Sequence, residues 1–188
     1  RREHISKDTH QTQIALGFPS VTVHDPAYYE ARAFASILGG YASARLFTEV
    51  REKRGLCYSV SAGYESLREM AGVLCYAGTS TERAQQTLDV TLAEIQRLAR
   101  HGIEQEELET MRAGLKSGLI MQQESSMSRS ASLAADWYHL GRVRSLDEIS
   151  TALDALTVES VSAFAKTQRV DDLTIVTLGA SPLKLPGA

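Results

Sequence analysis

The sequence predicts an α+β domain with two layers, in which helices pack against one mostly antiparallel sheet. Two strand-like segments, 58–64 and 73–77, are separated by a polar loop, which is typical of a β-hairpin. Helix-like and strand-like segments do not alternate strictly along the chain, which disfavours a doubly wound parallel sheet. With 188 residues, of which 43% are hydrophobic, the chain is long and apolar enough for one folded domain.

The amino-terminal third of the chain predicts one strand and two helices. Apolar residues alternate with polar or small ones over 12–18, which is the pattern of a half-buried strand. The Asp-Pro pair at 25–26 is a typical helix start, and the Gly-Gly pair at 39–40 is a typical helix end. A second helix is expected over 43–53, and Gly55 stops it.

The hairpin and a final strand complete the predicted sheet of about four strands. Period-two spacing predicts that Tyr58 shares one face of the first hairpin strand with Val60. Residues 65–69 form the connecting loop of this hairpin. A last strand is predicted over 173–178.

Five or six helices are predicted in total. Apolar residues recur every three or four positions over 81–101 and 104–124, as in an amphipathic helix. The serine-rich stretch 125–132 is interpreted as a kink or a loop. Helical patterns resume after it, and again over 146–156 and 158–167.

The predicted domain organisation is a polar linker or tether at 1–11, one domain over 12–180, and a proline-containing tail at 181–188. Arg1 is not an initiator methionine, so we expect the chain to be a fragment of a longer product. The sequence carries no clear compartment signal, and a cytoplasmic location is slightly favoured.

Charge and cysteine content argue against several classes of protein. Twenty Lys and Arg against 23 Asp and Glu give a net charge of −3, which disfavours a general nucleic-acid-binding domain. No apolar run approaches the roughly 20 residues that a membrane-spanning helix needs. Cys57 and Cys75 lack the spacing of a metal site and lie in apolar strand-like segments, so we expect free, buried thiols.

One segment carries residue types that suit chemistry on a carbonyl group. Residues 46–60 predict a helix end, a glycine stop and a strand entry, with Arg51 in the last helical turn and Tyr58 at the start of the strand. Because the break between them is short, both side chains can reach the same edge of the sheet. A guanidinium and a phenol O–H form a donor pair suited to an oxygen that gains negative charge. Spacing alone leaves a second interpretation open, since basic residues are common at any solvated helix end.

The same segment resembles a known family. The run from Gly39-Gly40 through Ser43–Phe47 to Val50–Val60 is similar to the inactive-half domain of the pitrilysin, insulinase and mitochondrial processing peptidase family. The similarity extends to 13–19 and 102–108, so it covers most of the chain. In that family two homologous α+β halves close around a peptide. The resemblance therefore implies a half-unit of the processing-peptidase-like metallohydrolase fold.

The resemblance also implies a division of roles between the two halves. One half binds zinc through an inverted motif, H-x-x-E-H, and a distant Glu. The other half supplies an Arg and a Tyr, seven positions apart, that hold the substrate at the zinc site. Arg51 and Tyr58 match that pair in type and spacing, which implies a role for them in binding the substrate or its transition state. Zinc would be present only in the complete enzyme, bound by the partner half.

The histidine content agrees with a half that holds no zinc. None of the five histidines completes H-x-x-E-H or H-E-x-x-H. The nearest approach is His-Gly-Ile-Glu-Gln at 101–105, in which Gln is a poor zinc ligand and Gly102 interrupts the helix. We therefore expect no metal ligand and no catalytic residue in this chain alone, which would be inactive without its partner.

The function implied is the substrate-binding, non-zinc half of a zinc metalloendopeptidase. Its partners would be a peptide substrate and a homologous H-x-x-E-H half, on the same polypeptide or on a second subunit, with no nucleic acid and no membrane span. The alternative is a non-catalytic scaffold of the same superfamily, like the core subunits of respiratory complexes. A chance match to an unrelated α+β binding module is a third interpretation. An isolated half would expose the surface that meets its partner, which also allows a homodimer.

Overall fold

The computed structural model describes residues 1–185, which contain a five-stranded sheet, six α-helices and a short π-helical segment. The strands are β1 (Arg2–Ser6), β2 (Gln11–Ser20), β3 (Cys57–Ser66), β4 (Ala71–Ser80) and β5 (Thr174–Gly179). The α-helices are α1 (Tyr28–Gly39), α2 (Ala84–His101), α3 (Gln105–Glu124), α4 (Ser126–Leu140), α5 (Leu146–Asp154) and α6 (Val158–Thr167). The π-helical segment, Phe47–Glu52, lies between α1 and β3. The predicted α+β class is confirmed.

The sheet has the strand order β1-β5-β2-β4-β3, so β1 and β3 are its edges. Only the β1–β5 pair is parallel, and the other described pairs are antiparallel. The opening segment was predicted to be a linker, and this is corrected for Arg2–Ser6, which pairs with β5 along its whole length. An edge strand is held by backbone hydrogen bonds on one side and tolerates polar side chains. The polar composition of this segment therefore did not indicate a strand.

The helices cover one face of the sheet and form the core with it. Alternating residues of β2 point into this layer, and Ile14, Leu16 and Phe18 are all buried. Phe34 of α1 makes edge-to-face contacts with Phe18 and with Phe164 of α6, at centroid distances of 6.1 and 6.4 Å. These contacts join both helices to the centre of the sheet.

The end of α1 lies directly against β3. A Cβ atom on Gly39 would come within 2.4 Å of the Ala62 nitrogen, so only glycine allows the helix to approach this closely. The close approach fixes the position of the segment that follows α1. That segment leads into the π-helical turn and the strand where the predicted site residues lie.

The opposite face of the sheet is open within residues 1–185. Leu74 and Tyr76 of β4 are 54% and 42% exposed on it. Small residues flank them, such as Ala15 and Gly17 on β2 and Gly63 on β3. The result is a shallow, mostly apolar groove of about 800 Å³.

Helix boundaries mostly follow the predicted ones. The serine-rich stretch is a kink and not a loop, because the extended residue Ser125 ends α3 and its Oγ accepts a bond from the Ser128 N–H that opens α4 (3.3 Å). Of the predicted tail, residues 181–185 are described and 186–188 lie outside the described residues. No helix among the described residues is both long and apolar enough to cross a lipid bilayer.

Candidate functional site

Three local irregularities bring Arg51 and Tyr58 together at the β3 edge of the sheet. Arg51 lies in the π-helical segment, where the Lys53 N–H donates to the Thr48 carbonyl, five residues earlier (2.9 Å). Such π turns are rare in proteins as a whole, and those that occur are often found at functional sites. Gly55 then adopts a φ of 58°, in the left-handed region that favours glycine. A β-bulge follows at the start of β3.

The bulge turns Tyr58 toward solvent. Cys57 pairs with Thr79 and Ser59 pairs with Gly78, so Tyr58 is the extra residue on the β3 side. Cys57 and Val60 are therefore both buried, whereas Tyr58 is 85% exposed. The prediction that Tyr58 shares a face with Val60 is wrong, because strict alternation does not survive an inserted residue.

Two aromatic rings hold the guanidinium group of Arg51. Its Cζ atom lies 4.7 Å from the centroid of the Phe47 ring and 5.4 Å from that of the Tyr58 ring. Contacts of this kind attract the cation to the ring faces. They leave its N–H groups available, since no hydrogen bond joins the guanidinium to any other described residue. The sequence prediction that Arg51 and Tyr58 reach one edge of the sheet agrees with this geometry.

Arg51 differs from the other cations of its basic run in having no carboxylate partner. Glu49 accepts hydrogen bonds from Lys53 and Arg54, both at 2.6 Å. These hydrogen bonds, led by that from Lys53, lower the pKa of the Glu49 carboxyl below its ordinary value. Within residues 1–185, no carboxylate lies within 4 Å of the Arg51 guanidinium. Arg51 is thus the cation of this run that a ligand can use.

A buried arginine, which sequence reasoning missed, anchors the start of this segment. Arg45 is only 8% exposed, and its Nε and one terminal nitrogen donate to the two carboxylate oxygens of Glu107, at 2.6 and 2.7 Å. The same terminal nitrogen donates to the Gly102 carbonyl (2.9 Å). Burial alone would raise the pKa of Glu107, but hydrogen bonds from Arg45 and from the Glu104 N–H outweigh it and lower that pKa. The signal available in sequence was an arginine placed between the apolar residues Ala44 and Leu46.

The predicted free thiols are both buried and unbonded. Burial raises the pKa of the Cys75 thiol to about 12, and it also raises that of Cys57, which Arg51 partly offsets. No group of three or more His, Cys, Asp or Glu side chains among the described residues could hold a metal ion. His101 ends α2, and Gly102 has a φ of 74°, so the near-motif at 101–105 is not one continuous helix.

Comparisons with known proteins agree with the fold and its likeness to a peptidase half. The profile of the family described as "Peptidase M16 inactive domain" matches residues 1–115. The uncharacterized zinc protease YmxG of Bacillus subtilis is 31% identical over 175 residues, covering 93% of this chain and 43% of that protein. The uncharacterized zinc protease Rv2782c of Mycobacterium tuberculosis is 32% identical over 162 residues, covering 86% of this chain and 37% of that protein.

Solved structures give the same result. The crystal structure of a peptidase M16 inactive domain from Pseudomonas fluorescens has a TM-score of 0.86 at 27% identity, covering 98% of this chain and 44% of the other. A protease from Helicobacter pylori has a TM-score of 0.84 at 23% identity, covering 97% of this chain and 44% of the other, and it shares the fold. The chain spans less than half the length of the curated relatives it matches. The family resemblance predicted from the sequence is confirmed, and this chain belongs to the peptidase M16 inactive-domain family.

Proposed function

We propose that this chain is the substrate-binding half of a zinc metalloendopeptidase, in which Arg51 and Tyr58 hold a peptide for hydrolysis at a partner half. One observation carries the proposal: an arginine without a carboxylate partner packs on an exposed tyrosine at an edge of the sheet. Relatives named zinc proteases support the class of chemistry. In this proposal zinc is bound by a partner half that carries H-x-x-E-H, which agrees with the absence of a metal-binding cluster among the described residues of this chain. The chain alone would not hydrolyse peptides.

Tyr58 and Arg51 are suited to a peptide carbonyl group. The Tyr58 hydroxyl, which has no hydrogen-bond partner among the described residues, would donate to the carbonyl oxygen of the bond to be cleaved. A donor in this position stabilises negative charge as it develops on that oxygen. The Arg51 guanidinium would add a positive charge beside it and hold the Tyr58 ring by the observed stacking.

The β3 edge offers a way to hold the peptide backbone near this pair. Only β4 pairs with β3 among the described strands, so the other side of β3 presents unpaired N–H and C=O groups. An extended peptide can add to such an edge as a further strand. Peptides without stable folded structure are the substrates that this mode of binding selects.

The test uses the complete enzyme, with the zinc half present. We expect Tyr58→Phe to lower kcat/KM by about a hundredfold, because removing one donor to a developing oxyanion has an effect of this order. Arg51→Ala should also lower kcat/KM, while the zinc content of both variants stays at the parental level. Tyr138→Phe and Arg100→Ala are matched controls, since both residues are exposed and lie on α4 and α2 and not on the segment that carries the pair.

Two results would contradict the proposal. Parental rates in both variants would show that Arg51 and Tyr58 have no role in turnover. A complete assembly that neither binds zinc stoichiometrically nor cleaves peptides would favour the alternative, a scaffold subunit of the same superfamily.

A further inference from the structure

A second cavity lies at the hairpin end of β3, between that strand, α1 and α4. It has a volume of about 280 Å³ and includes Tyr28 and Arg32 of α1, Tyr64 of β3 and His139 of α4. Tyr64 is six residues from Tyr58 along β3, or about 20 Å at the usual rise per residue. The cavity is therefore separate from the Arg51–Tyr58 pair, and no step proposed above uses it.

One wall of the cavity is a closed ion pair. The guanidinium of Arg144 donates to Asp136 Oδ1 at 2.6 and 3.1 Å, and the Arg144 N–H donates to Asp136 Oδ2 at 2.9 Å. The two side chains are only 13% and 7% exposed. Their charges cancel, so this pair shapes the cavity and leaves no net charge on it.

Arg32 supplies the uncompensated charge. Its Cζ lies 5.8 Å from the centroid of the Tyr28 ring, and no carboxylate within residues 1–185 lies within 4 Å of its guanidinium. The Asp25 carboxylate is close enough to act electrostatically on Tyr64, but Asp25 is not among the residues that line the cavity, and one of its oxygens accepts from the Ala27 N–H (2.8 Å). The lining thus carries one net positive charge, which matches a ligand with one negative charge.

A second polar group in the lining lacks a partner. The Nδ1 atom of His139 is buried and makes no hydrogen bond to any described residue. Buried polar nitrogens in folded proteins are nearly always hydrogen-bonded, so this atom points to a ligand oxygen. With its proton on Nδ1, His139 would donate to that oxygen.

The remaining walls are aromatic and apolar except at Ser66, whose hydroxyl donates to the Leu67 carbonyl (3.0 Å). The rings of Tyr28 and Tyr64 stack edge to face at 5.6 Å, and Val23 and Ala135 complete the surface. We propose that this cavity binds a small monocarboxylate with an apolar body, whose two oxygens meet Arg32 and His139 Nδ1. A single charge and two donors suit a carboxylate, whereas a phosphate dianion would leave one negative charge uncompensated.

The test compares two probes of equal shape on the folded chain, 3-phenylpropionate and its neutral amide, 3-phenylpropanamide. Ligand-observed NMR measures binding, and the fluorescence of Trp137, the single tryptophan and a neighbour of Asp136, gives a second reading. We expect saturable binding of the acid and at least tenfold weaker binding of the amide, because a charge-assisted hydrogen bond contributes on this order. Arg32→Gln should weaken binding of the acid by about the same factor.

Further variants separate charge from shape. Ala135→Leu, which fills the cavity and leaves every charge in place, should abolish binding, and Arg100→Gln on the exposed face of α2 should leave it unchanged. The proposal is overturned if the acid shows no saturable binding, if the amide binds equally well, or if Arg32→Gln binds like the parent chain. It is also overturned if inorganic phosphate displaces the acid at equal concentration. Arg51→Ala should not alter this binding, so the result is independent of the proposed peptidase role.

Discussion

Replacing Arg45 with methionine tests how firmly the segment that carries Arg51 is anchored. The three hydrogen bonds from Arg45 to Glu107 and to the Gly102 carbonyl join the start of this segment to α3 and to the end of α2. Methionine preserves most of the side-chain volume but leaves Glu107 without its cation. Glu107 is 24% exposed, so its charge would remain mostly desolvated.

The expected cost follows from this burial. Removing one partner of a buried ion pair costs about 3–5 kcal/mol, because the other charge stays buried and uncompensated. We expect Arg45→Met to cost about 3 kcal/mol of unfolding free energy, at the lower end of this range. Glu107 is partly exposed and keeps the hydrogen bond from the Glu104 N–H, and both features reduce the cost. For a domain of this size that corresponds to a fall in Tm of about 6–12 °C.

The loss should depend on pH in a defined direction. In the parent chain the pKa of Glu107 is lowered, so the pair stabilises the fold above the ordinary glutamate pKa and loses its effect as pH falls through the folded pKa. In the variant, Arg45 no longer offsets the effect of burial, so we expect the pKa of Glu107 to rise. Protonation of Glu107 as pH falls then removes the uncompensated buried charge, and the variant loses less stability. The difference in unfolding free energy between parent and variant should therefore shrink from about pH 7 to about pH 4.

Urea unfolding followed by circular dichroism at both pH values measures this difference. Arg54→Met is the matched control, since Arg54 is 41% exposed in its pair with Glu49 and such pairs contribute about 1 kcal/mol or less. A loss for Arg45→Met no larger than that of Arg54→Met would refute the assignment of a buried anchor. A difference that does not change with pH would refute the role given to Glu107.

Three further predictions concern stability and thiol access. Gly55→Ala should lower the free energy of unfolding by about 1 kcal/mol, because Gly55 has a positive φ. Gly118→Ala should raise the free energy of unfolding by about 0.5–1 kcal/mol, because Gly118 lies inside α3 and a Cβ there meets open space. Urea unfolding measures both changes. Gly39→Ala should cost more than Gly55→Ala, since its Cβ meets the backbone of β3, and equal losses would contradict this close approach. Cys57 and Cys75 should resist Ellman's reagent in the folded chain and react in urea, and rapid labelling of Cys75 without urea would contradict its burial.

The sequence predicts the elements whose side chains follow a clear period. The alternation over 12–18 identified the buried face of β2, and the three-to-four spacing identified α2 and α3. β1 escaped prediction because its pairing partner, β5, lies at the other end of the chain. Its five residues are stabilised by backbone bonds to that partner, which local composition does not reveal.

The candidate site was predictable in its residues but not in its geometry. Residue type and spacing, together with the family resemblance, selected Arg51 and Tyr58 as candidates, yet the face of Tyr58 is reversed by a bulge that depends on pairing with β4. The sequence signal for Arg45 was its place between Ala44 and Leu46, but its partner could not be predicted because Glu107 is 62 residues away and their contact exists only after folding. Long-range pairing therefore decided each feature that the local pattern missed.

The cluster of irregular backbone around Arg51 and Tyr58 is itself an argument for a binding site. A regular helix, an ordinary turn and an unbulged strand could also connect α1 to β3, yet a π turn, a positive-φ glycine and a bulge all fall between Phe47 and Ser59. Departures of this kind persist when the surrounding structure compensates for them, and they concentrate at functional sites. Here their combined effect is to stack an unpaired guanidinium on a tyrosine ring that is turned out to solvent. A chain that served only as a scaffold would not need that arrangement, so the arrangement supports the proposed peptide binding over assembly alone.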